Sequence, residues 1–357
     1  MRIGIFPFAN EAETVLRYGN LLEGHQVTSV YVRGAGENGE IPREFAAMEN
    51  VVATTNMERF LDNCEKVLLL ERCPNDVPLE QYSRCLGIAQ QKRKRVTMGK
   101  SLFSKMADAG VATKDIEITG NPQSNTGHAV PHIIEIPAPV IAVLGVGEHC
   151  DKFECQLLLK RALDSRGYNS LCISSSELGV LFGMSLYPDF IFCKDVELHD
   201  KVIRFNHYLA KMCEAQKPDV IVVGIPGGIT PLAPCEDNYF AEIPYIISNA
   251  LEVDSGILCI YHHQDPAQYD FDWAAMYARM KFNIPLDYFF LSRHKMEYDL
   301  ENQKIDFSFL DQEYIENNTV CDAYVPLIYP AFRSCPADES INCYIEKFEQ
   351  AIQHSTG

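Results

Sequence analysis

The chain has 357 residues, 47% of them apolar and 22% charged, and a formal net charge of −18. That length is about twice one ordinary domain, so two domains are expected, each able to bury a core without staples. The acidic balance excludes nonspecific binding to nucleic acid or anionic lipid, since both need excess Lys and Arg. It fits an acidic soluble surface or a basic partner.

The start, MRIGIFPFAN, runs into polar EAETVLRYGN without a small-residue cleavage site, so it does not read as a signal peptide. No stretch reaches the roughly 18 apolar residues of a membrane span. A cytoplasmic protein without membrane attachment is expected. The 13 cysteines are scattered and form no CxxC pair. In a reducing compartment they read as free thiols, many of them buried.

Residues 1–112 alternate strand-like and helix-like segments. Arg2–Phe8 reads as a strand, Glu11–Leu22 as a helix closed by Gly24, and Val27–Val32 as a strand. Gly34–Gly36 and Asn38-Gly39 mark a loop. Val51–Ala53, Lys66–Leu70 and Arg95–Met98 follow as strands, with helices at Met57–Cys64, Pro78–Lys92 and Leu102–Ala109. This alternation predicts an open, mostly parallel sheet, Rossmann-like in kind. Over 113–138 the periodicity fades, Asn121–Gly127 is turn-rich and Pro131 and Pro137 follow, which reads as a linker.

A second α/β pattern occupies 139–357. Val140–Leu144 is a continuous apolar run, as in a central parallel strand. Lys152–Ser165 is a helix, Asn169–Ser174 a strand, Lys201–Ala215 a helix and Val220–Val223 a strand. Gly256–Tyr261 and Phe289–Leu291 are further strands, and Tyr344–His354 is a short helix.

The chemistry-bearing signal is the corner Gly145-Val-Gly147-Glu-His-Cys-Asp151-Lys152-Phe153. A P-loop reads G-x-x-x-x-G-K-[ST] between a strand and a helix. Gly145 and Lys152 fit a longer spacing, G-x5-G-K-[ST], similar to the dethiobiotin synthetase type. Asp151 then replaces the second glycine, and Phe153 replaces the Ser/Thr whose hydroxyl normally meets the nucleotide's magnesium. Asp151 is expected to bring a negative charge to where an anion would sit, a repulsion of about 4 kcal/mol at 4 Å. Asp151 and Glu154 also match a capping box, so the two carboxylates are expected to take the helix N–H groups that phosphate would use. A dinucleotide fingerprint fits less well, because position 150 is Cys.

A second strand-end motif, Asp219-Val-Ile-Val-Val223-Gly224-Ile-Pro226-Gly227-Gly228, resembles the Walker B region of the same group. Gly224 stands where the acid is expected, and Asp219 lies at the strand's beginning. Strand carboxyl ends form the binding crevices of open α/β sheets, so Gly224, Pro226, Gly227 and Gly228 can line a site beside Gly145, Gly147, Asp151 and Lys152. The plainer alternative is a tight turn that needs glycine dihedrals. Glu236 or Asp237 can supply an acid from beyond the loop.

Arg17…Asn20–Gly24, the Gly145–Leu157 segment, Asn206, Lys217–Gly227 and Ser248–Ala250 together resemble the clostridial-type peptide maturation system protein family. Members are encoded with radical SAM maturases, Cys-rich precursor peptides and an acyl-carrier-related protein. The resemblance covers most of the chain. It implies an accessory role in maturing a ribosomally synthesised peptide, with those proteins as partners, and it assigns no catalytic residue.

The reading that follows is two α/β domains, the second resembling P-loop NTPases. The function expected is accessory binding or scaffolding, with a degenerate or repurposed nucleotide (ATP or GTP) or anion site. An ATP- or GTP-dependent ligase or transferase using Lys152 is the alternative. A Cys/His metal-dependent enzyme is the third, from His149, Cys150, Cys155 and His262-His263, although no ligand set is assigned. The basic run Lys92–Arg95 reads as a solvated helix end or as a dock for an acidic carrier. The aromatic-rich stretch from Tyr239 to Phe282 reads as core or as a peptide groove.

Overall fold

The structure is a computed structural model. It describes residues 1–8, 10–32, 50–71, 77–111, 116–119, 132–232, 238–263, 269–318, 327–328 and 337–355. The sequence-predicted loop at 34–39, the turn at 121–127 and the acids Glu236 and Asp237 lie outside the described residues. Contacts divide the chain into two compact units, Met1–Gly120 with Val180–Gly183, and Asn121–Gly179 with Met184–Gly357.

The first unit is built on six parallel strands: β1 (Arg2–Phe6), β2 (Gln26–Tyr31), β3 (Val52–Thr54), β4 (Lys66–Leu69), β5 (Arg95–Gly99) and β6 (Ile116–Thr119). Their order, β3-β2-β1-β4-β5-β6, is the doubly wound Rossmann order. Helices α1 (Asn10–Arg17), α2 (Met57–Asp62), α3 (Leu79–Gln91) and α4 (Lys100–Asp108) complete it. The helix expected over 11–22 stops at Arg17 and gives way to a 3-10 turn at Gly19–Leu21. Glycine inside a helix costs about 1 kcal/mol, which favours that break. Ile116–Thr119, within the stretch read as a linker, is the edge strand β6; four residues are too few for their alternation to stand out.

The second unit holds β7 (Val140–Gly145), α5 (Lys152–Ser165), β8 (Ser170–Ile173), α6 (Leu198–Gln216), β9 (Val220–Gly224), α7 (Glu242–Ala250), β10 (Ser255–Ile260), α8 (Phe271–Phe282) and β11 (Leu286–Leu291). A hairpin of β12 (His294–Asp299) and β13 (Lys304–Phe309) follows, then α9 (Gln312–Asn318), β14 (Leu327–Ile328) and α10 (Ala337–Ser355). The parallel sheet runs β14-β11-β10-β7-β9-β8, with β7 central. Every residue of β7, β9 and β10 is buried, as expected for strands covered on both faces. Residues 132–138 pack on α6, where Asn206 exchanges two hydrogen bonds of 2.8 Å with the backbone of Ile134. The terminal helix is longer than its sequence suggested, 19 residues against the 11 of Tyr344–His354. The aromatic stretch forms α7, β10 and α8. Phe271 and Phe282 are buried, while Phe240 and Trp273 are exposed. Among the described residues no helix is long and apolar enough to cross a membrane.

The core of the second unit rests on its central strands. Leu258, in the middle of β10, is fully buried. Leu258→Ala is expected to lower unfolding free energy by about 2–5 kcal/mol, read from the urea midpoint. A loss below about 1 kcal/mol would mean that the core closes around the gap.

Candidate active site: a strand-end corner filled by its own side chains

Gly145 ends β7 and begins a six-residue loop to Lys152, the first residue of α5. The loop is packed too tightly for larger residues. A Cβ on Gly145 would collide with the Cys150 thiol and stand 2.8 Å from the Gly147 carbonyl oxygen. One on Gly147 would meet Tyr261 and Leu232. The chain turns through two non-glycine residues in the left-handed region, His149 at φ 55° and Asp151 at φ 58°. Each costs about 1–2 kcal/mol, less for Asp than for most residues. Asp151 therefore supplies the dihedral that a second P-loop glycine would have given freely.

Lys152 is only 6% exposed. Its ammonium donates to the carbonyl oxygens of Gly147 (2.6 Å) and Gly227 (2.7 Å) and lies 3.5 Å from Glu148 Oε2. The other Glu148 oxygen accepts from the Gly227 N–H at 2.9 Å. Burial alone would lower the Lys152 pKa, but the neighbouring Cys150 and Glu148 side chains outweigh it and raise it. Lys152 in turn holds the Glu148 carboxyl below its ordinary value. The corner is thus occupied by an ion pair of its own. Pro226-Gly227-Gly228 lies directly against it. Gly227 takes φ +78°, and a Cβ on Gly228 would stand 2.7 Å from Gly147 Cα. The loop is a turn with a glycine in the left-handed region, and it packs closely on the β7–α5 loop.

The capping-box expectation for Asp151 and Glu154 is not met. The Asp151 side chain makes no cap hydrogen bond to α5. Its carboxylate faces the end of β11, accepting from Ser292 Oγ (2.8 Å) and Arg293 N (2.9 Å) and pairing with His294 Nδ1 (3.0 Å). Glu154 pairs with Arg293 at 3.4 Å, each side chain 1% exposed. The Asp151 carboxylate, expected to bring its charge to where an anion would sit, faces the His294 ring and the Arg293 backbone N–H. Burial acts to raise the Asp151 pKa, but His294 and Arg293 together bring it well below the carboxylate range. Burial acts to lower His294, and Asp151 reverses this to a raised value.

The hairpin is attached at this pair. The Arg293 guanidinium lies 4.5 Å from the Phe309 ring centroid, and the His294 ring lies 5.1 Å from it. Phe307 stands 4.9 Å from the His149 ring and 5.7 Å from Tyr261. Tyr261 donates its hydroxyl to the Glu148 backbone carbonyl at 2.6 Å. Ser292, Arg293, His294 and Glu148 were missed by sequence reasoning. The available signal was a polar Ser-Arg-His run directly after an apolar strand, at the carboxyl end where sites form.

At the end of β9, Gly224 faces Gln156 of α5, and a Cβ on Gly224 would run into the Gln156 carboxamide. That carboxamide donates to the Ile173 carbonyl (2.8 Å) and accepts from Ser175 N (2.9 Å). Tyr187 donates its hydroxyl to the Gly224 carbonyl at 3.0 Å. Asp219 lies at the other end of the strand, accepting from Asn169 N at 2.8 Å. Phe153 is largely buried and offers no oxygen to a cation.

The cysteine and histidine candidates do not converge. Cys150 is buried and its thiol is pushed up to about 12, so it is protonated at neutral pH. His262 is buried, neither ring nitrogen has a hydrogen-bond partner among the described residues, and burial brings its pKa down to about 4. Among the described residues no three His, Cys, Asp or Glu side chains stand together as a metal site. Within the basic run, Lys92 pairs with Asp62 at 2.5 Å and Lys94 donates to the Cys64 carbonyl at 2.7 Å. A cavity of about 700 Å³ opens at the opposite, amino edge of the second sheet, beside Pro139, Ser255 and Asp287. Its lining carries the carboxylates of Glu135, Glu252, Asp254 and Asp287 with Lys347.

No family model matches the chain, and no curated protein sequence matches it. Among solved structures, it is similar to the crystal structure of a DUF1611 family protein from Anabaena variabilis. That match has a TM-score of 0.57 at 15% identity, covering 82% of this chain and 87% of the other. At that identity the likeness concerns the fold, two α/β units with mostly parallel sheets.

The Asp151–His294 pair makes stability depend on pH. The folded His294 value is raised above 6.5, so its contribution is complete below that value and is lost as pH rises through the folded value. Asp151 is depressed below 3.8, so its contribution is lost only as pH falls into strong acid. Urea unfolding between about pH 6 and 9 should show stability declining with pH. In His294→Gln that decline should flatten; an unchanged slope would assign it to other groups.

Proposed function

We propose that the protein is an accessory binding protein of ribosomal peptide maturation, whose second unit takes a phosphoryl-bearing ligand without magnesium-dependent hydrolysis. The observation that carries the binding half is the Lys152 ammonium, held at the joint of the two strand-end loops by the Gly147 and Gly227 carbonyls. A fixed cation among close-packed glycines at the carboxyl edge of a parallel sheet is the arrangement that cradles phosphate. Lack of hydrolysis is supported by the positions that would bind magnesium. Phe153 replaces the hydroxyl, and the Gln156 carboxamide fills the space over Gly224 where the strand-end acid would project. ATP and GTP are the first ligands to test. The peptide-maturation half rests on the resemblance carried by the Gly145–Leu157, Lys217–Gly227 and Ser248–Ala250 segments. The precursor peptide, the radical SAM maturase and the acyl-carrier-related protein are its proposed partners.

Isothermal titration with ATP and GTP is expected to give binding that magnesium does not strengthen and that yields no nucleoside diphosphate. Lys152→Met should weaken it by at least about tenfold, or 1.4 kcal/mol, with circular dichroism confirming the fold. Magnesium-dependent binding with turnover lost in Lys152→Met would replace this reading with an active ligase or transferase. Failure to retain either the precursor peptide or the carrier protein in a pull-down would remove the pathway assignment.

A further inference from the structure

We infer that Glu148 is a resident competitor for the phosphoryl group, so that ligand enters the corner by exchanging with this carboxylate. The inference rests on the phosphoryl-ligand reading and deepens it. One Glu148 oxygen holds the Gly227 N–H at 2.9 Å and the other faces Lys152 Nζ at 3.5 Å. These are the two kinds of contact, a loop amide and a fixed lysine, that a P-loop gives to phosphate. The chain's own anion already uses them.

The partners differ in their freedom to leave. The Lys152 side chain is 6% exposed and bound to two carbonyls, whereas the Glu148 side chain is 51% exposed. The Glu148 backbone is pinned by the Tyr261 hydroxyl at 2.6 Å. Exchange therefore needs only a side-chain rotation into solvent, with the loop staying in place. What remains is one buried ammonium and one N–H at the turn of Gly227. A phosphoryl group near two negative charges displaces a carboxylate carrying one, whereas a free carboxylate gains no such advantage. Because the competitor is itself an anion, the corner selects for charge density.

The test titrates metal-free inorganic pyrophosphate, and separately acetate, into the wild-type full chain, Glu148→Gln, Glu148→Ala and Lys152→Met. Circular dichroism confirms the fold of each. Expected is pyrophosphate affinity at least about tenfold tighter in both Glu148 variants than in wild type, following removal of one like charge. Expected also is loss of binding in Lys152→Met and only feeble binding of acetate throughout. Equal pyrophosphate affinity in wild type and both Glu148 variants overturns the competitor role and leaves the phosphoryl reading standing. Acetate binding to Glu148→Gln as tightly as pyrophosphate overturns the ligand class. Absence of pyrophosphate and ATP binding in every folded variant overturns both inferences together.

Discussion

A single ammonium joins the two halves of the corner. Lys152 leaves the first turn of α5 and reaches the carbonyls of Gly147, after β7, and Gly227, after β9. Hydrogen bonds from a charged group contribute about 1.5–3 kcal/mol each, and an unpartnered buried ammonium would cost several kcal/mol. Neither loop can move away without exposing that cost. Gly228 follows from this demand, because a Cβ there would meet the Val146 carbonyl oxygen and Gly147 Cα, and the two loops must approach that closely for one lysine to reach both. Gly145 is held small within its own loop, by Cys150 and the Gly147 carbonyl.

A second layer of buried charge lies beneath the first. Asp151 and Glu154 turn away from the lysine and bind Ser292, Arg293 and His294. Removing one partner of such a buried pair costs about 3–5 kcal/mol, since the survivor is left uncompensated. Helix α5 therefore presents its cation toward the β9 loop and its acids toward the end of β11. Phe307 and Phe309 cover the histidine side of that arrangement, which explains why a half-exposed hairpin stays attached at its root.

The fold was readable where period and apolarity were strong. Val140–Leu144, Val220–Val223 and Gly256–Tyr261 are buried on both faces, and unbroken apolar runs of that length are enough to imply it. Lys152–Ser165 was placed to the residue. The hairpin was missed although KIDFSF alternates polar residues with Ile305, Phe307 and Phe309 at the period of a half-buried strand; HKMEYD, with only Met and Tyr apolar, carries the weaker signal. In the corner, the lysine and the glycines were legible from spacing. The directions of Asp151 and Glu154 were not. Local sequence favours a cap, and only the tertiary position of Arg293 and His294 overrides that preference. Glu148 escaped for a related reason, since its meaning depends on Gly227, 79 residues away.

Gln156 makes two strand ends answer to one side chain. Its carboxamide lies over Gly224 and simultaneously ties the end of β8 through Ile173 and Ser175. Any side chain placed at 224 would meet that carboxamide, and trimming Gln156 to make room would release the end of β8. One amide thus couples two strand ends, so a change made in β9 is felt in its neighbour.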